Sequence, residues 1–248
     1  MKVKTILVSQ PAPKTETSPY FELSEKQKVK IDFRSFIHVE GVSSKDVRAQ
    51  KIDPSKFSAI ILTSRNAVDH FFTICKDLKI EVPADMKYFC ISEQTAYYLQ
   101  KYIVVRKRKI FTGSRTAQDL IEILKKHKNE KYLFPCSSIR KDDIPGYLEE
   151  NGFKFSEAVI YETVASDLSD LDDVTYDILA FYSPSGINSL FVNFPEFKQN
   201  DTRIAVFGPT TAQAAKDANL IIDIEAPQPN APSMTGALEL YIKKANNL

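Results

Sequence analysis

The sequence predicts an α/β protein of two small domains, each built on a parallel five-stranded sheet flanked by helices, with the second domain inserted into the first. Three observations carry this. The apolar runs are short and rich in β-branched residues, and amphipathic stretches separate them, the alternation of a parallel sheet with helices on its faces. One stretch of the chain repeats the layout of another. The 248 residues, 43% apolar and 26% charged, suit two ordinary cores better than one.

Ten strands follow in order, at residues 5–9, 30–38, 59–63, 88–91, 103–105, 132–135, 158–163, 178–182, 203–207 and 220–224, enough for two sheets of five. The opening MKVKTILVSQPAP has too few apolar residues before its Ser-Gln-Pro break for a signal peptide and reads as the first strand. The repeat pairs AIILTSRNAV and KYFCISEQTAYYL with ILAFYSPSGI and RIAVFGPTTAQAA. Each copy runs strand, hydroxyl-bearing turn, helix, strand, and a turn ending in Thr-Ala. The element after that recurs too, as RTAQDLIEILKK and SMTGALELYIKK. The copies do not divide the chain into halves. An interleaved arrangement resolves this, with residues 1–37 and 165–248 forming one domain, residues 38–164 the inserted one, and the two chain crossings the hinge.

Composition excludes several function classes. The formal net charge of +1 asks for neither nucleic acid nor an anionic membrane as partner. No stretch approaches the roughly 18–20 apolar residues of a membrane span. Cys75, Cys90 and Cys136 are odd in number, far apart and flanked by apolar residues, which reads as buried free thiols in a reducing, cytoplasmic setting. The seven glycines form neither GxGxxG nor a P-loop, which argues against dinucleotides and nucleoside triphosphates. His38, His70 and His127 stand at no metal-ligand spacing from one another or from the cysteines, so no metal is expected.

The acidic pairs Asp142-Asp143, Glu149-Glu150 and Asp172-Asp173 suit helix starts or solvated faces better than general acid–base work. The basic run Arg106-Lys107-Arg108-Lys109, followed by Lys125, Lys126, Lys128 and Lys131, has two readings: a solvated face, or long-range attraction of an anionic substrate.

The turns at the strand ends are more informative: TSRNA at 63–67, ISEQTA at 91–96, PCSS at 135–138, YSPSG at 182–186 and FGPTTA at 207–212. Each lies where the carboxyl end of a parallel strand meets a helix start. Ligands of open α/β sheets bind at that edge, where helix N-termini offer free N–H groups and a positive dipole end. A single Ser or Thr there also serves as an ordinary helix cap. Five such turns on one interdomain cleft make a surface for a ligand carrying many carboxylates.

Those residues carry a resemblance. LFPCSSIRKDDIPGYLEENGF, AVIYETVAS, AFYSPSGINSLF and IAVFGPTTAQAA, in this order and spacing, resemble the signature segments of uroporphyrinogen-III synthases, and TSRNAV resembles that family's TS-x-x-AV turn. The resemblance is strong over residues 132–215 and weaker elsewhere. It implies two flavodoxin-like domains joined by a two-stranded hinge, and a cofactor-free reaction in tetrapyrrole biosynthesis. Linear hydroxymethylbilane is cyclised to uroporphyrinogen III with loss of water and inversion of the final pyrrole ring, a cyclising hydro-lyase reaction.

The resemblance also assigns roles. The proton donor to the departing hydroxyl maps onto Tyr161, whose phenol, with an ordinary pKa near 10, is protonated at neutral pH; a strand tyrosine with its hydroxyl at the rim is the alternative. Ser64, Arg65, Asn66, Ser92, Gln94, Ser137, Ser138, Ser183, Ser185, Thr210 and Thr211 form a substrate-positioning group, and Ser92 stands where many members carry a glycine. The expected partner is one small polycarboxylate, bound by a monomer. A non-catalytic tetrapyrrole or polycarboxylate carrier on the same fold, and a generic two-lobed small-ligand binder, are the competing readings. The absence of Trp weighs against the second.

Overall fold

A computed structural model describes residues 2–246 apart from 16, 105, 173 and 174, together with the backbone but not the side chain of residue 107. In chain order the elements are β1 (Thr5–Val8), α1 (Pro19–Gln27), β2 (Lys30–Phe33), β3 (Ile37–Gly41), α2 (Ser44–Ala49), β4 (Ala59–Leu62), α3 (Arg65–Asp77), β5 (Lys87–Cys90), α4 (Glu93–Tyr98) and β6 (Ile110–Thr112). There follow α5 (Ala117–Leu124), β7 (Lys131–Ser137), α6 (Asp143–Glu150), β8 (Lys154–Ala165), β9 (Ile178–Phe181), α7 (Pro184–Asn193), β10 (Arg203–Phe207), α8 (Pro209–Asp217), β11 (Ile222–Ala226) and α9 (Met234–Asn246). The chain divides into two units, residues 1–38 with 164–248, and residues 39–163. Both crossings fall inside strands, one in β3 and one in β8.

In the first unit the strand order is β11-β10-β9-β1-β2, and every paired strand is parallel. Numbered within the unit, this is the doubly wound order 2-1-3-4-5, whose direction of winding reverses between β1 and β9. Both faces are covered, which is why strands such as β9, Ile-Leu-Ala-Phe, are buried at every position. On one face Ile6, Val8, Ile178, Ala180 and Ala205 pack under α1 and α9 through Leu23, Leu238 and Ile242. On the other, Leu7, Leu179, Phe181, Ile204 and Val206 meet Ile187 and Leu190 of α7 and Ala212 and Ala215 of α8.

The second unit's sheet runs β3-β8-β7-β4-β5-β6. Without β3 its strands follow the order 3-2-1-4-5, and the winding reverses between β4 and β7. Ile60, Leu62, Tyr88, Cys90 and Leu133 pack under Val68, Phe71 and Ile74 of α3. Ala59, Ile61, Phe89, Tyr132 and Phe134 pack under Leu120 and Leu124 of α5 and Ile144 and Leu148 of α6.

Among the described residues this second sheet has six strands, not the five expected. The run expected as one strand over 30–38 breaks at Arg34–Phe36, its first half pairing β1 as β2 and its second half lying beside β8 as β3. The bonds Val42 N–H to Ile160 O (3.0 Å) and Ser166 N–H to Phe36 O (2.8 Å) run in opposite register, so β3 is antiparallel to β8 and the sheet is mixed. The strand expected at 103–105 is also displaced: Ile103 and Val104 are irregular, Val105 lies outside the described residues, and the strand beside β5 is Ile110–Thr112. Val104 is 88% exposed, so the β-branched run that suggested a strand has no sheet to join. No helix among the described residues is long and apolar enough to cross a membrane.

Candidate functional site

In an open α/β sheet the crevice for a ligand opens beyond the strand carboxyl ends, where the winding reverses. In the second unit that point holds the turns after β4 and β7, and a cavity of about 540 Å³ lies there. Its lining includes Thr63, Cys136, Ser137, Ile139, Arg140, Lys141, Arg115 and Tyr161. Tyr161, on β8, is 8% exposed, and its hydroxyl oxygen lies 3.5 Å from that of Ser64. Burial pushes the phenol above its ordinary pKa, and the Ser64 hydroxyl offsets this only in part. Tyr161 therefore stays protonated through the neutral range.

The serines at the helix starts are committed to their own main chain, as the cap reading requires. Ser64 Oγ accepts from Ala67 N–H (3.0 Å), Ser92 Oγ from Thr95 N–H (3.3 Å), and Ser183 Oγ from Gly186 N–H (3.2 Å). Their hydroxyl protons are left for other partners. Ser137 is buried and its Oγ accepts from Ile139 N–H at 3.4 Å, while exposed Ser138 donates its N–H to Tyr161 O. Thus Ser64, Ser137, Ser138 and Tyr161 come together where β4 and β7 end beside β8. Arg65, Asn66 and Gln94 are exposed and take no part in the cavity lining; the Arg65 guanidinium sits 5.4 Å from the Tyr98 ring centre.

Three cations border this cavity, and sequence reading missed them as site residues. Arg140 is neutralised: two of its nitrogens donate to the Glu157 carboxylate, and Nη1 donates to Asp142 at 2.9 Å. Arg115 and Lys141 make no ion pair among the described residues. They are 26 positions apart in sequence, and the side-by-side packing of α5 and α6 puts the turns that carry them on one cavity. Of the basic residues noted in the sequence, Lys109 donates to Ala84 O, Lys125 pairs with Glu122 at 2.6 Å, and Lys128 and Lys131 lie over the rings of Phe153 and Phe57, while the Lys107 side chain lies outside the described residues.

The first unit carries the other turns. Tyr182 and Phe207, at the ends of β9 and β10, stack with ring centres 5.6 Å apart, and the hydroxyls of Tyr182 and Tyr20 are hydrogen-bonded. After β10 the chain turns sharply at Gly208, whose φ of +85° lies where only glycine is unstrained. Having no side chain, Gly208 leaves the start of α8 without a side-chain cap, so the N–H groups of Thr210 and Thr211 face outward from the helix end. The Thr210 side chain is exposed, Ser185 is half-buried, and Thr211 is 1% exposed. A ligand has no access to the Thr211 side chain here, and only the main-chain N–H remains to that residue.

A family model described as uroporphyrinogen-III synthase HemD matches residues 19–236. The uroporphyrinogen-III synthase of Saccharomyces cerevisiae is 29% identical over 137 residues, a match spanning half of this chain and half of that relative's length. Among solved structures, uroporphyrinogen-III synthetase from Helicobacter pylori aligns over 97% of this chain and 99% of its own, with a TM-score of 0.59 and 21% identity. A mutant uroporphyrinogen III synthase from Thermus thermophilus aligns over 98% and 99%, with a TM-score of 0.51 and 14% identity. These two likenesses are of fold.

Proposed function

The chain belongs to the uroporphyrinogen-III synthase family, and from that premise we propose that it cyclises hydroxymethylbilane to uroporphyrinogen III with Tyr161 as proton donor. The observation that carries this reading is the placement of a buried, protonated phenol in a cavity bordered by two cations that make no ion pair among the described residues. The flavodoxin-like description of the fold is supported in the first unit by its 2-1-3-4-5 strand order.

The chemistry asks little of the protein beyond a proton and a conformation. The Tyr161 hydroxyl gives its proton to the terminal hydroxyl of the bilane as the C–O bond breaks, water leaves, and the electron-rich pyrrole becomes an azafulvene cation. A phenolate remains, next to the Ser64 hydroxyl, which can donate to it. The final ring then attacks through its substituted carbon to form a spiro intermediate, its original bond to the neighbouring methylene breaks to give a second azafulvene cation, and this closes on the ring's free α-carbon, whose lost proton restores the Tyr161 phenol. Unaided closure gives the unturned isomer, so binding energy spread over the carboxylates must hold the productive conformer. In the second unit, Arg115, Lys141 and the hydroxyl proton of Ser137 are donors that suit carboxylates; in the first unit, taken by itself, the helix-start N–H groups of Thr210 and Thr211 and the hydroxyl protons of Ser183 and Ser185 are donors of the same kind.

The test adds freshly generated hydroxymethylbilane to wild-type protein and to Tyr161→Phe, and separates isomers I and III after oxidation. Predominant isomer III that falls in the variant supports the reading. Isomer III unchanged in the variant removes Tyr161 from the mechanism, and isomer I alone from folded protein leaves a tetrapyrrole-binding protein without the reaction.

A further inference from the structure

Tyr161 has an aromatic neighbour that plays no part in the cavity lining. His70 lies on α3, one residue before Phe71 of that helix's buried face. Its ring stacks on the Tyr161 ring with centres 5.3 Å apart and planes 20° apart. The imidazole also packs against bare main chain: a Cβ built on Gly41 of β3 would come within 3.0 Å of His70 Nδ1 and 3.4 Å of Cε1. Any side chain at 41 would therefore push the imidazole. Burial holds the His70 pKa below the ordinary imidazole value, against the opposing charge of Asp69, so the ring is neutral through the neutral range.

We infer that His70 is a positioning residue for the reaction, holding the Tyr161 phenol ring in one orientation so that its hydroxyl stays at Ser64 and the cavity. The inference rests on the reading of Tyr161 as proton donor. A phenol on a strand can rotate about two side-chain bonds, and the hydroxyl at its far end moves furthest when it does. Ser64 meets only that end, at the long distance of 3.5 Å. The stacked imidazole meets the ring face, and Gly41 gives the imidazole the room it occupies. A misplacement of about 1 Å at a reacting group costs on the order of 100-fold in rate.

The experiment compares wild type, Tyr161→Phe, His70→Ala, His70→Phe, Gly41→Ala and the Gly41→Ala/His70→Ala double variant with hydroxymethylbilane. Expected are a fall in kcat of about 10- to 100-fold for His70→Ala with little change in KM, and recovery in His70→Phe, which keeps a flat ring there. Gly41→Ala lowers kcat alone but adds nothing in the His70→Ala background, because the imidazole it displaces is gone. A merely structural role would instead lower the melting temperature of His70→Ala and leave kcat of the folded protein at the wild-type value. If wild type forms isomer III and Tyr161→Phe does not, while His70→Ala matches wild type, the inference is overturned and the synthase reading stands. If wild type forms no isomer III, the synthase reading fails. Positioning is then judged without substrate from the ring resonances of ¹³C-labelled Tyr161. One ordered set in wild type and His70→Phe, with broadening or doubling in His70→Ala, supports it, and identical spectra overturn it.

Discussion

The side-chain amide of Gln50 makes both main-chain hydrogen bonds of Val159: Gln50 Nε2 donates to Val159 O at 2.7 Å, and Val159 N–H donates to Gln50 Oε1 at 3.0 Å. Val159 lies on β8 next to Ile160, whose carbonyl takes the last bond from the β3 side through Val42 N–H. Gln50 thus replaces the missing strand where β3 departs, two residues before Tyr161. Gln50→Ala leaves a half-buried donor and acceptor unpaired, at a cost of about 1–3 kcal/mol. Gln50→Glu keeps only the acceptor and falls between. Urea unfolding of the three proteins checks the order, and equal midpoints would show that water satisfies this edge.

Arg115 and Lys141 differ from Arg140 in one respect, the presence of an acid partner, and their variants should differ accordingly. Removing an unpaired cation that meets a substrate carboxylate weakens binding by about 0.5–1.5 kcal/mol. Arg115→Gln and Lys141→Gln are therefore expected to raise KM about 2- to 12-fold, with kcat and thermal stability close to wild type and an effect that shrinks as salt is added. Arg140→Gln leaves the Glu157 carboxylate without its main partner and is expected to lower the melting temperature instead. Steady-state kinetics at two ionic strengths, with a thermal melt for each variant, separates the two patterns; a lowered melting temperature in Arg115→Gln would make that residue structural.

The fold class was legible because its strands are buried on both faces, so β4 and β9 stand out as unbroken apolar runs. The break at Arg34–Phe36 was not legible. Both halves of KIDFRSFIHVE read as strand, and only the sheet each half joins decides where one ends. β6 was misread for a related reason: three residues behind a basic run carry less local signal than the β-branched Ile103-Val104, yet it is Ile110–Thr112 that lies against β5. At the site, the capping serines were visible because each stands just before a helix. Arg115 and Lys141 were not, because nothing in the local sequence of either says that α5 packs beside α6.

Asp177 should set part of the acid limit of the first unit. It precedes β9, and Oδ2 accepts from Lys4 N–H (2.7 Å), Thr5 N–H (2.9 Å) and the Thr5 hydroxyl (3.2 Å), so one carboxylate joins the starts of β9 and β1. Burial alone would raise its pKa, but these bonds outweigh burial and hold it below the ordinary carboxylate value of 3.8. A native pKa below the unfolded one means stability that is present above the unfolded value and lost as pH falls through the native one. Asp177→Asn is expected to cost about 1.5–3 kcal/mol at pH 7 and to give a shallower loss of stability below pH 4. Unfolding midpoints from pH 7 down to pH 2.5 test both, and parallel curves would remove Asp177 from the acid limb.

The three thiols should set part of the alkaline limit. Cys75, Cys90 and Cys136 are all free and buried. Burial pushes Cys75 and Cys90 up to about 12, and burial reinforced by Glu157, against Arg140, pushes Cys136 up to about 11, from an ordinary value of 9.0. A native pKa above the unfolded one gives stability that is complete below about pH 9 and is lost as pH rises through the native values, because the unfolded chain ionises first. The native protein is expected to react slowly with a thiol reagent at pH 8, since the thiolate is the nucleophile and the native state holds almost none of it. Unfolding midpoints should fall from pH 8.5 to 10.5, and Cys90→Ala should flatten that fall while lowering stability at pH 7 through the lost packing at β5. An alkaline limb as steep in Cys90→Ala as in wild type would assign it to the buried tyrosines, of which Tyr88 is pushed up to about 12 by burial and by Cys75 and Cys90.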